Sequence, residues 1–343
     1  PDPGGPRGSI GEPTIHPHAQ SCQPLRASDS LANVATPLAP EAEWVRVRAS
    51  GKINLALRVG GVRPSGYHPL ATVFQSVSLF DEIAVRLDEP GRFTVRVHGE
   101  QADLVPSDDR NLAVKAARLL ADHYGPSRYG AEIVIRKTIP VAGGMAGGSA
   151  DAAGALLACS VLWDLDTTPD ELRAFGATLG ADVPFQLMGG TALGTGRGDV
   201  LVPVLSRGSY HWVLALSGDE LPTPEVFRRF DQLNPEPPAD LPLPTEVMNA
   251  LVAGDAAALG AALVNDLEPA AVALRPGLVR TLQTGRELGA LGAIVSGAGP
   301  TCAFLAANEA AAVDLSVQLS SEGICRVVRR VTGPVRGARL ITA

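Results

Sequence analysis

The chain has 343 residues, 45% of them hydrophobic, and a formal net charge of −7. This length fits two packed domains, each with a hydrophobic core. An acidic chain without a long basic run excludes nucleic acid as the main partner, because phosphate neutralisation requires clustered lysine and arginine. A local basic site for a small anion stays compatible with this charge.

The cysteines and the hydropathy pattern indicate a cytoplasmic protein. Four scattered cysteines, Cys22, Cys159, Cys302 and Cys325, form no CxxC pair and no metal-ligand spacing. Thiols of this kind are typical of a reducing compartment. No apolar run approaches the roughly 20 residues of a membrane span, and no signal peptide is recognised. We therefore expect no membrane partner, and a monomer or a weak homodimer.

The first residues are rich in proline, glycine, serine and alanine and have no apolar period. This composition predicts a disordered extension over residues 1–41. His16 and His18 lie within it, and we interpret them as solvated side chains rather than metal ligands.

Hydrophobic periodicity predicts the elements that follow. In the first half, strands are predicted at 44–49, 53–59, 74–89, 92–99 and 131–139, and helices at 111–125, 149–162 and 168–180. Thr168 and Glu171 give the last helix a capping box. In the second half, strands are predicted at 211–216, 292–306 (strand, turn, strand) and 325–331, and helices at 223–233, 245–253, 255–262, 276–288 and 308–323. The absence of a regular βαβ rhythm favours an α+β fold in two lobes.

One glycine-rich stretch, IPVAGGMAGGSADAAGALLA at 139–158, lies between a predicted strand and a predicted helix. Backbone N–H groups and the helix dipole converge at such a junction, and glycine lets phosphate oxygens approach the backbone. The stretch therefore predicts a polyphosphate site. A flexible loop or tight helix packing is the alternative. The pattern lacks the Gly-Lys-Ser/Thr of a P-loop and the spacing of a dinucleotide fingerprint.

Three further features are ambiguous when taken singly. Lys52 sits among apolar residues at a strand start, where a lysine ordinarily reaches solvent. Asp182 follows a helix exit, where an aspartate ordinarily caps a turn. A second glycine-rich turn, in VSGAGPTCAFL from Val295, is by itself only a hairpin.

Together and in this order, these motifs resemble the GHMP superfamily of small-molecule kinases, whose members phosphorylate galactose, homoserine, mevalonate and phosphomevalonate. GKINLAL, GYHPLATVFQSVSLFD, NLAVKAARLL, KTIPVAGGMAGGSADAAG, LGADVPF, LPTPEVF and SGAGPTCAFL carry the resemblance from about Val45 to the end of the chain. It implies an N-terminal nucleotide-binding lobe (42–205) and a ferredoxin-like C-terminal lobe (206–343). GKINL with GYH is similar to the branch that phosphorylates a cytidine diphosphate sugar alcohol for isoprenoid precursor synthesis.

The resemblance also assigns roles to residues. Asp182 matches the general base for the acceptor hydroxyl, and Lys52 matches the catalytic lysine that keeps it ionised. The positions that match the ATP site are Pro140, Val141, Ala142, Gly143, Gly144, Met145, Ala146, Gly147, Gly148, Ser149, Ala150, Asn111, Leu112 and Lys137. The positions that match the acceptor site are Asn54, Tyr67, His68, Phe74, Thr223 and Phe227. Tyr67 or Phe227 would stack on cytosine, and His68 would bond its edge.

The loop departs from the family pattern at Ala142, Ala146 and Ala150, where further glycines and a second serine are usual. Ser149 is then the hydroxyl best placed for Mg²⁺ or a phosphate oxygen. Asp151 has two interpretations, a helix cap and a metal ligand acting through water, and we favour the cap. The implied reaction is in-line transfer of the γ-phosphoryl group from ATP with Mg²⁺. Two alternatives stay open: another GHMP kinase or a related diphosphate decarboxylase, and an inactive nucleotide-binding protein on the same fold.

Overall fold

Two sheets organise the computed structural model, which describes residues 44–125, 127–218, 220–238 and 240–341, together with the first residue. The predicted extension, with His16, His18 and Cys22, therefore lies outside the described residues, apart from Pro1. No helix in the described ranges is long and apolar enough to cross a membrane.

The strands within these ranges are β1 (Val45–Val59), β2 (Leu70–Leu87), β3 (Phe93–Gly99), β4 (Ala131–Lys137), β5 (Thr191–Thr195), β6 (Val200–Pro203), β7 (Tyr210–Leu216), β8 (Val264–Asn265), β9 (Gly292–Val295), β10 (Cys302–Ala306), β11 (Val327–Gly333) and β12 (Arg339–Leu340). The helices are α1 (Leu112–Tyr124), α2 (Gly147–Leu162), α3 (Pro169–Leu179), α4 (Val183–Met188), α5 (Thr223–Leu233), α6 (Thr245–Ala253), α7 (Ala256–Ala262), α8 (Glu268–Leu274), α9 (Gly277–Glu287) and α10 (Glu309–Ser321). A short 3₁₀ turn (Ala102–Leu104) precedes α1.

The larger sheet has the order β12-β1-β2-β4-β3, with β5 and β6 continuing from β2 and β8 pairing with β1. Helix α2 packs against β1 and β2, and α1 packs against α2. Small residues on α2 allow this close approach: a Cβ at Gly154 would lie 2.5 Å from Cδ1 of Ile83. This packing buries α2 on nearly every side and fixes where its N-terminus points.

Strand β1 corrects one prediction. Ser50 and Gly51 were expected to separate two strands, but they continue a single strand of 15 residues. The pairing with β2 shifts register at Ser50/Gly51 and again at Asn54/Ala56, so the irregularity is absorbed as bulges rather than a break. Lys52 and Asn54 lie between the two shifts and, two residues apart, share one face of the strand.

The smaller sheet is antiparallel, with the order β11-β7-β10-β9. Counted from the first of these strands, the order is 4-1-3-2, and helices α9 and α10 pack on it. This is the ferredoxin-like arrangement that was predicted. Strands β8 and β12 come after residue 205 but pair with β1 of the larger sheet. The predicted boundary at 205/206 falls between β6 and β7 and stays a prediction.

Several short elements were not predicted: α4, α8, β5, β6, β8 and β12. Each has at most seven residues, too few for a periodic pattern to emerge. The predicted helix at 149–162 begins two residues earlier, at Gly147.

Candidate active site

A cavity of about 310 Å³ collects residues from both lobes. It is lined by Lys52, Asn54, Leu57, Leu70, Phe74, Leu112, Pro140, Ala142, Gly143, Gly144, Ala146, Gly147, Gly148, Ser149, Asp182, Thr223, Phe227, Leu267, Gly297 and Ala298. A volume of this order is typical of small-molecule sites. The cavity therefore unites the glycine-rich stretch with Lys52 and Asp182, which are far apart in sequence.

The loop predicted to bind phosphate, residues 140–146, is called the phosphate loop below, and it leads from the end of β4 to the start of α2. The N-terminal N–H groups of a helix have no acceptor within the helix. Here the N-cap residue is Ala146, which has no side chain that could accept from them. Gly147, Gly148 and Ser149 line the cavity at this end. Unsatisfied donors and the positive end of the helix dipole make the loop suitable for phosphate oxygens.

Two alanines of the loop adopt a left-handed backbone conformation. Ala142 has φ +51° and Ala146 has φ +58°. The left-handed conformation costs a residue with a Cβ about 1 kcal/mol or more, whereas glycine adopts it without this steric cost. The conformation thus explains why glycine is usual at such positions. The loop of this chain is held in a strained shape.

The second glycine-rich turn, residues 296–299, packs directly against the phosphate loop. Oγ of Ser296 donates to the carbonyl of Gly144 at 3.0 Å, and a Cβ at Gly144 would lie 2.0 Å from the carbonyl oxygen of Ser296. Asn265 holds the turn by donating to the carbonyls of Val295 and Gly297, both at 2.8 Å. A motif that was a simple hairpin by itself is therefore part of the cavity wall.

Lys52 is almost fully buried at the floor of the cavity. Its Nζ donates to Oδ1 of Asn54 at 2.7 Å and to the carbonyl of Gly144 at 3.0 Å. Burial lowers the pKa of Lys52 below its ordinary value, against the opposing effect of the nearby Asp182 carboxylate. The side chain does not reach solvent, so the ordinary interpretation of a surface lysine is wrong.

Asp182 occupies the N-cap position of α4, yet its side chain makes no capping hydrogen bond. The carboxylate lines the same cavity as Lys52 and interacts with its charge. Ser149 lies close to this helix junction, since a Cβ at Gly180 would be 4.0 Å from its Oγ. Asp182 is thus available to a ligand rather than engaged by the helix that it precedes.

Asn54 is oriented by its neighbours. Its Nδ2 donates to Oγ1 of Thr72 at 2.8 Å, and Thr72 in turn donates to the carbonyl of Ala56 at 2.7 Å. These bonds direct Oδ1 of Asn54 toward Lys52. Phe74 closes this wall by stacking on Phe185, with ring centroids 4.9 Å apart.

Phe227 and Thr223, both on α5, line a further part of the cavity, which we call its aromatic end. His68 does not line the cavity but packs on Phe227 with centroids 4.8 Å apart. Nε2 of His68 lies 2.8 Å from Oδ1 of Asp231. The carboxylate favours the tautomer in which Nε2 carries the proton, which leaves Nδ1 as an acceptor.

Tyr67 is 56% exposed and lies outside the cavity. The guanidinium of Arg197 sits 5.3 Å from the centre of its ring, and Arg197 also pairs with Asp199 at 2.5 Å. Its hydrogen bonds and ion pair with Asp199 raise the pKa of Arg197, with a smaller contribution from Tyr67. Tyr67 therefore stays exposed and does not contribute to the cavity wall.

A second cavity, of about 280 Å³, adjoins the first and shares Leu112, Ala142 and Gly148 with it. Leu104, Val105, Pro106 and Val141 give it apolar walls, and Arg110, Asn111, Lys137 and Asp151 add polar groups. The side chain of Asn111 is already engaged: Oδ1 caps α1 by accepting from Ala113 at 2.9 Å, and Nδ2 donates to the carbonyl of Pro106 at 2.7 Å. Asn111 thus braces the wall of this cavity.

Lys137 forms a buried bridge between two carboxylates. Its Nζ lies 2.5 Å from Oδ2 of Asp81 and 2.7 Å from Oδ2 of Asp151. Burial lowers the pKa of Lys137, but the charges and hydrogen bonds of the two carboxylates outweigh it and raise the pKa overall. Burial raises the pKa of Asp151 well above its ordinary value. Asp151 does not cap α2, so that expectation is wrong.

The predicted site residues thus fall into four groups. Those that line the first cavity are Lys52, Asp182, Asn54, Phe74, Thr223, Phe227, Leu112, Pro140, Ala142, Gly143, Gly144, Ala146, Gly147, Gly148 and Ser149. Val141, Asn111 and Lys137 line only the second cavity. Tyr67 and His68 lie beside the aromatic end. Met145 and Ala150 are fully buried in the hydrophobic core and line neither cavity.

The predictions missed the residues that hold the site together: Thr72, Asp81, Asn265, Ser296, Gly297 and Ala298. Gly297 lies directly against Lys52, since a Cβ at position 297 would be 3.2 Å from Nζ of Lys52. The SGAGPT motif was the available signal for the last three. Nothing in the local pattern distinguished the others from ordinary strand and loop residues.

Comparison with known proteins shows the family of the chain. Residues 111–190 match the GHMP kinases N terminal domain, and residues 247–325 match the GHMP kinases C terminal domain. The chain is 52% identical to the 4-diphosphocytidyl-2-C-methyl-D-erythritol kinase of Mycolicibacterium smegmatis, over 88% of this chain and 95% of that protein. It is 54% identical to the enzyme of the same name from Rhodococcus jostii, over 87% and 95% respectively.

Solved structures have the same fold. A crystal structure of 4-(cytidine 5'-diphospho)-2C-methyl-D-erythritol kinase superposes with a TM-score of 0.68 at 32% identity, covering 84% of this chain and 99% of that one. Homoserine kinase from Cytophaga hutchinsonii superposes with a TM-score of 0.69 at 18% identity, covering 89% and 99%, which shows the fold alone. By sequence identity over nearly its whole described length, the chain belongs to the 4-diphosphocytidyl-2-C-methyl-D-erythritol kinase family of GHMP kinases.

Proposed function

We propose that this protein transfers the γ-phosphoryl group of ATP to the 2-hydroxyl of 4-diphosphocytidyl-2-C-methyl-D-erythritol, giving the 2-phosphate and ADP. The reaction belongs to the non-mevalonate route to isoprenoid precursors. The observation that carries the proposal is the single cavity that joins the phosphate loop, the Lys52–Asp182 pair and the aromatic end. Donor, catalytic groups and acceptor can then meet in one place.

The phosphate loop binds the polyphosphate of ATP through backbone N–H groups at the start of α2. The adjoining cavity, with its apolar walls, takes the adenosine, and Leu112 and Gly148 lie between the two. Positioning and electrostatics supply most of the acceleration in phosphoryl transfer, so a rigid cradle is the main requirement.

Asp182 acts as the general base on the acceptor hydroxyl. Its carboxylate is not consumed by helix capping, and it lies beside the Lys52 charge. Lys52 stabilises the negative charge on the transferring phosphoryl group. The proton passes from the hydroxyl to Asp182, while the hydroxyl oxygen bonds to phosphorus and the bond to the ADP oxygen breaks.

Ser149 fits a magnesium ion that is held largely by phosphate oxygens and water. It contributes one hydroxyl to the cavity and leaves Asp182 free to act as the base. Mg²⁺ characteristically keeps several waters and uses few protein ligands. Bound there with ATP, the ion would neutralise charge on the β- and γ-phosphates. No cluster of three or more metal-binding side chains occurs in the described ranges, so the protein ligands alone would not hold the ion.

The cytosine of the acceptor lies at the aromatic end, where Phe227 offers a face for stacking. With Nε2–H donated to Asp231, His68 presents Nδ1 as an acceptor for the exocyclic amino group of cytosine. Uracil carries a carbonyl at that position and would face this acceptor with another acceptor. The pair thus favours cytidine over uridine in the substrate.

We also propose that the enzyme works in the cytoplasm as a monomer or weak homodimer. Cys159, Cys302 and Cys325 are unpaired, as expected in a reducing compartment. Burial raises the pKa of Cys159 and Cys302, which keeps these thiols protonated.

A panel of acceptors tests the proposed function. Purified protein is incubated with ATP and Mg²⁺ and, in separate reactions, the cytidyl acceptor, its uridine analogue, mevalonate, galactose or homoserine, while ADP is measured. We expect turnover with the cytidyl acceptor alone. Turnover with another acceptor would retain the fold and the ATP site but reject the substrate assignment. Nucleotide binding without turnover on any acceptor would indicate an inactive binding protein.

A further inference from the structure

The phosphate loop is anchored at both of its ends by the Asp81–Lys137–Asp151 bridge. Lys137 is the last residue of β4, just before the loop, and Asp151 lies in the first turns of α2, just after it. A single ammonium group therefore joins the entry and the exit of the loop. All three side chains are at most 3% exposed.

Asp81 contributes more than one carboxylate oxygen to this bridge. Besides pairing with Lys137 through Oδ2, it accepts through Oδ1 from the backbone N–H groups of Thr138 at 2.6 Å and Ile139 at 2.9 Å. These two residues lead directly into the loop. One carboxylate on β2 thus fixes three consecutive positions of the approaching chain.

The first residue of α2 rests on the bridge. A Cβ at Gly147 would lie 3.1 Å from Nζ of Lys137 and 3.2 Å from Cγ2 of Ile139. The helix N-terminus that faces the cavity therefore sits directly above the ammonium. Any displacement of Lys137 would shift the N–H groups on which phosphate binding depends.

The loop needs such a restraint because its own residues disfavour its shape. Ala142 and Ala146 have left-handed backbone angles, and such angles persist only where the surrounding structure over-determines them. The bridge supplies that restraint from outside the loop. Glycine at these positions would need it less.

We propose that Asp81 is a positioning residue for ATP, which acts through Lys137 on the geometry of the phosphate loop without touching the nucleotide. Asp81 is fully buried and lines neither cavity. This inference rests on the proposed ATP site and deepens it. In this proposal the ammonium of Lys137 is engaged by the two carboxylates of the bridge, and Lys137 contributes to nucleotide binding by fixing the position of the loop.

Asp81→Asn is the decisive variant. The amide keeps an oxygen for the N–H groups of Thr138 and Ile139 but turns a nitrogen toward the Lys137 ammonium. We expect the dissociation constant for ADP, measured by calorimetry, and KM for ATP to rise about tenfold, because a displaced cradle loses several phosphate contacts together. KM for the acceptor should stay unchanged.

Glu132→Gln is the matched control. Glu132 lies on β4, as Lys137 does, and pairs with Arg86 and Arg96 outside both cavities. This variant should lose some thermal stability and bind ADP normally. A bridge that merely stabilises the fold would make Asp81→Asn behave in the same way. Unchanged ADP affinity in a folded Asp81→Asn protein would therefore overturn the proposal.

Two further variants complete the test. If Asp81→Asn does not fold, the double variant Asp81→Asn/Lys137→Met removes the conflict between nitrogen and ammonium, and it too should bind ADP about tenfold more weakly. Wild-type affinity in that variant would contradict the proposal. Ala146→Gly in the Asp81→Asn background should recover part of the ADP affinity; no recovery would contradict the role of the strained loop. ADP binding needs no acceptor, so these results are independent of whether the substrate assignment holds.

Discussion

Replacement of Asp182 by asparagine should abolish most turnover while leaving the fold intact. Asp182 is the one carboxylate among the residues that line the first cavity, all of which are described, so no neighbour can replace it as a base. A positioned general base contributes about 10²- to 10⁴-fold to a rate. This range corresponds to about 3–5 kcal/mol of the activation barrier. The asparagine side chain has the same shape, and no capping bond is lost.

The assay compares kcat, both KM values and thermal stability for wild type and Asp182→Asn. We expect kcat to fall about 10²-fold or more, with KM for ATP changed by less than about threefold. The pKa of Lys52 should fall further, since the opposing effect of the carboxylate is removed. Asp255→Asn is the control, because Asp255 is also an N-cap residue but lies outside the cavity. Near wild-type kcat in Asp182→Asn would refute the assignment of the base.

Three other predictions follow from the geometry. Ala142→Gly should raise the free energy of unfolding by about 0.5–1 kcal/mol, or Tm by about 1–2 °C, in a thermal melt, because glycine removes the strain at φ +51°; a lower Tm would contradict the strain. Asp231→Asn should raise KM for the cytidyl acceptor about tenfold and reduce the ratio of kcat/KM between this acceptor and its uridine analogue, with KM for ATP unchanged. An unaltered ratio would argue against the His68 tautomer that carries its proton on Nε2. Burial raises the pKa of Asp151, so the folded state binds a proton more tightly than the unfolded state, and the free energy of unfolding falls as pH rises above the ordinary pKa of 3.8. In denaturation experiments over a range of pH, Asp151→Asn should lack this fall. The same pH dependence in the variant as in the wild type would contradict the prediction.

The sequence was most informative where chemistry depends on the local chain. Strand, glycine-rich loop and helix are contiguous, so the loop and its place at a helix N-terminus could be predicted from pattern alone, while its role in phosphate binding stays a prediction. The α+β architecture followed from the mixture of helical and strand periods. Roles for Lys52 and Asp182 came from the resemblance, since each residue alone had an ordinary interpretation.

What the pattern could not provide was contact between distant segments. Ser296 meets Gly144 across 152 positions of sequence, and Asp81 meets Lys137 across 56. Nothing local marks a buried aspartate on a strand as a partner of a particular lysine. The six residues of α4 were missed because they are too short for a helical period, although they bring Asp182 to its place.

The central claim is that one cavity holds donor, base and acceptor, so that the phosphoryl group moves directly. The most direct test is the configuration at phosphorus after transfer from ATP made chiral at the γ-phosphate with oxygen isotopes. A single in-line displacement inverts the configuration, and inversion is the result that we predict. Net retention would require a covalent phosphoenzyme, and it would contradict direct transfer within this cavity.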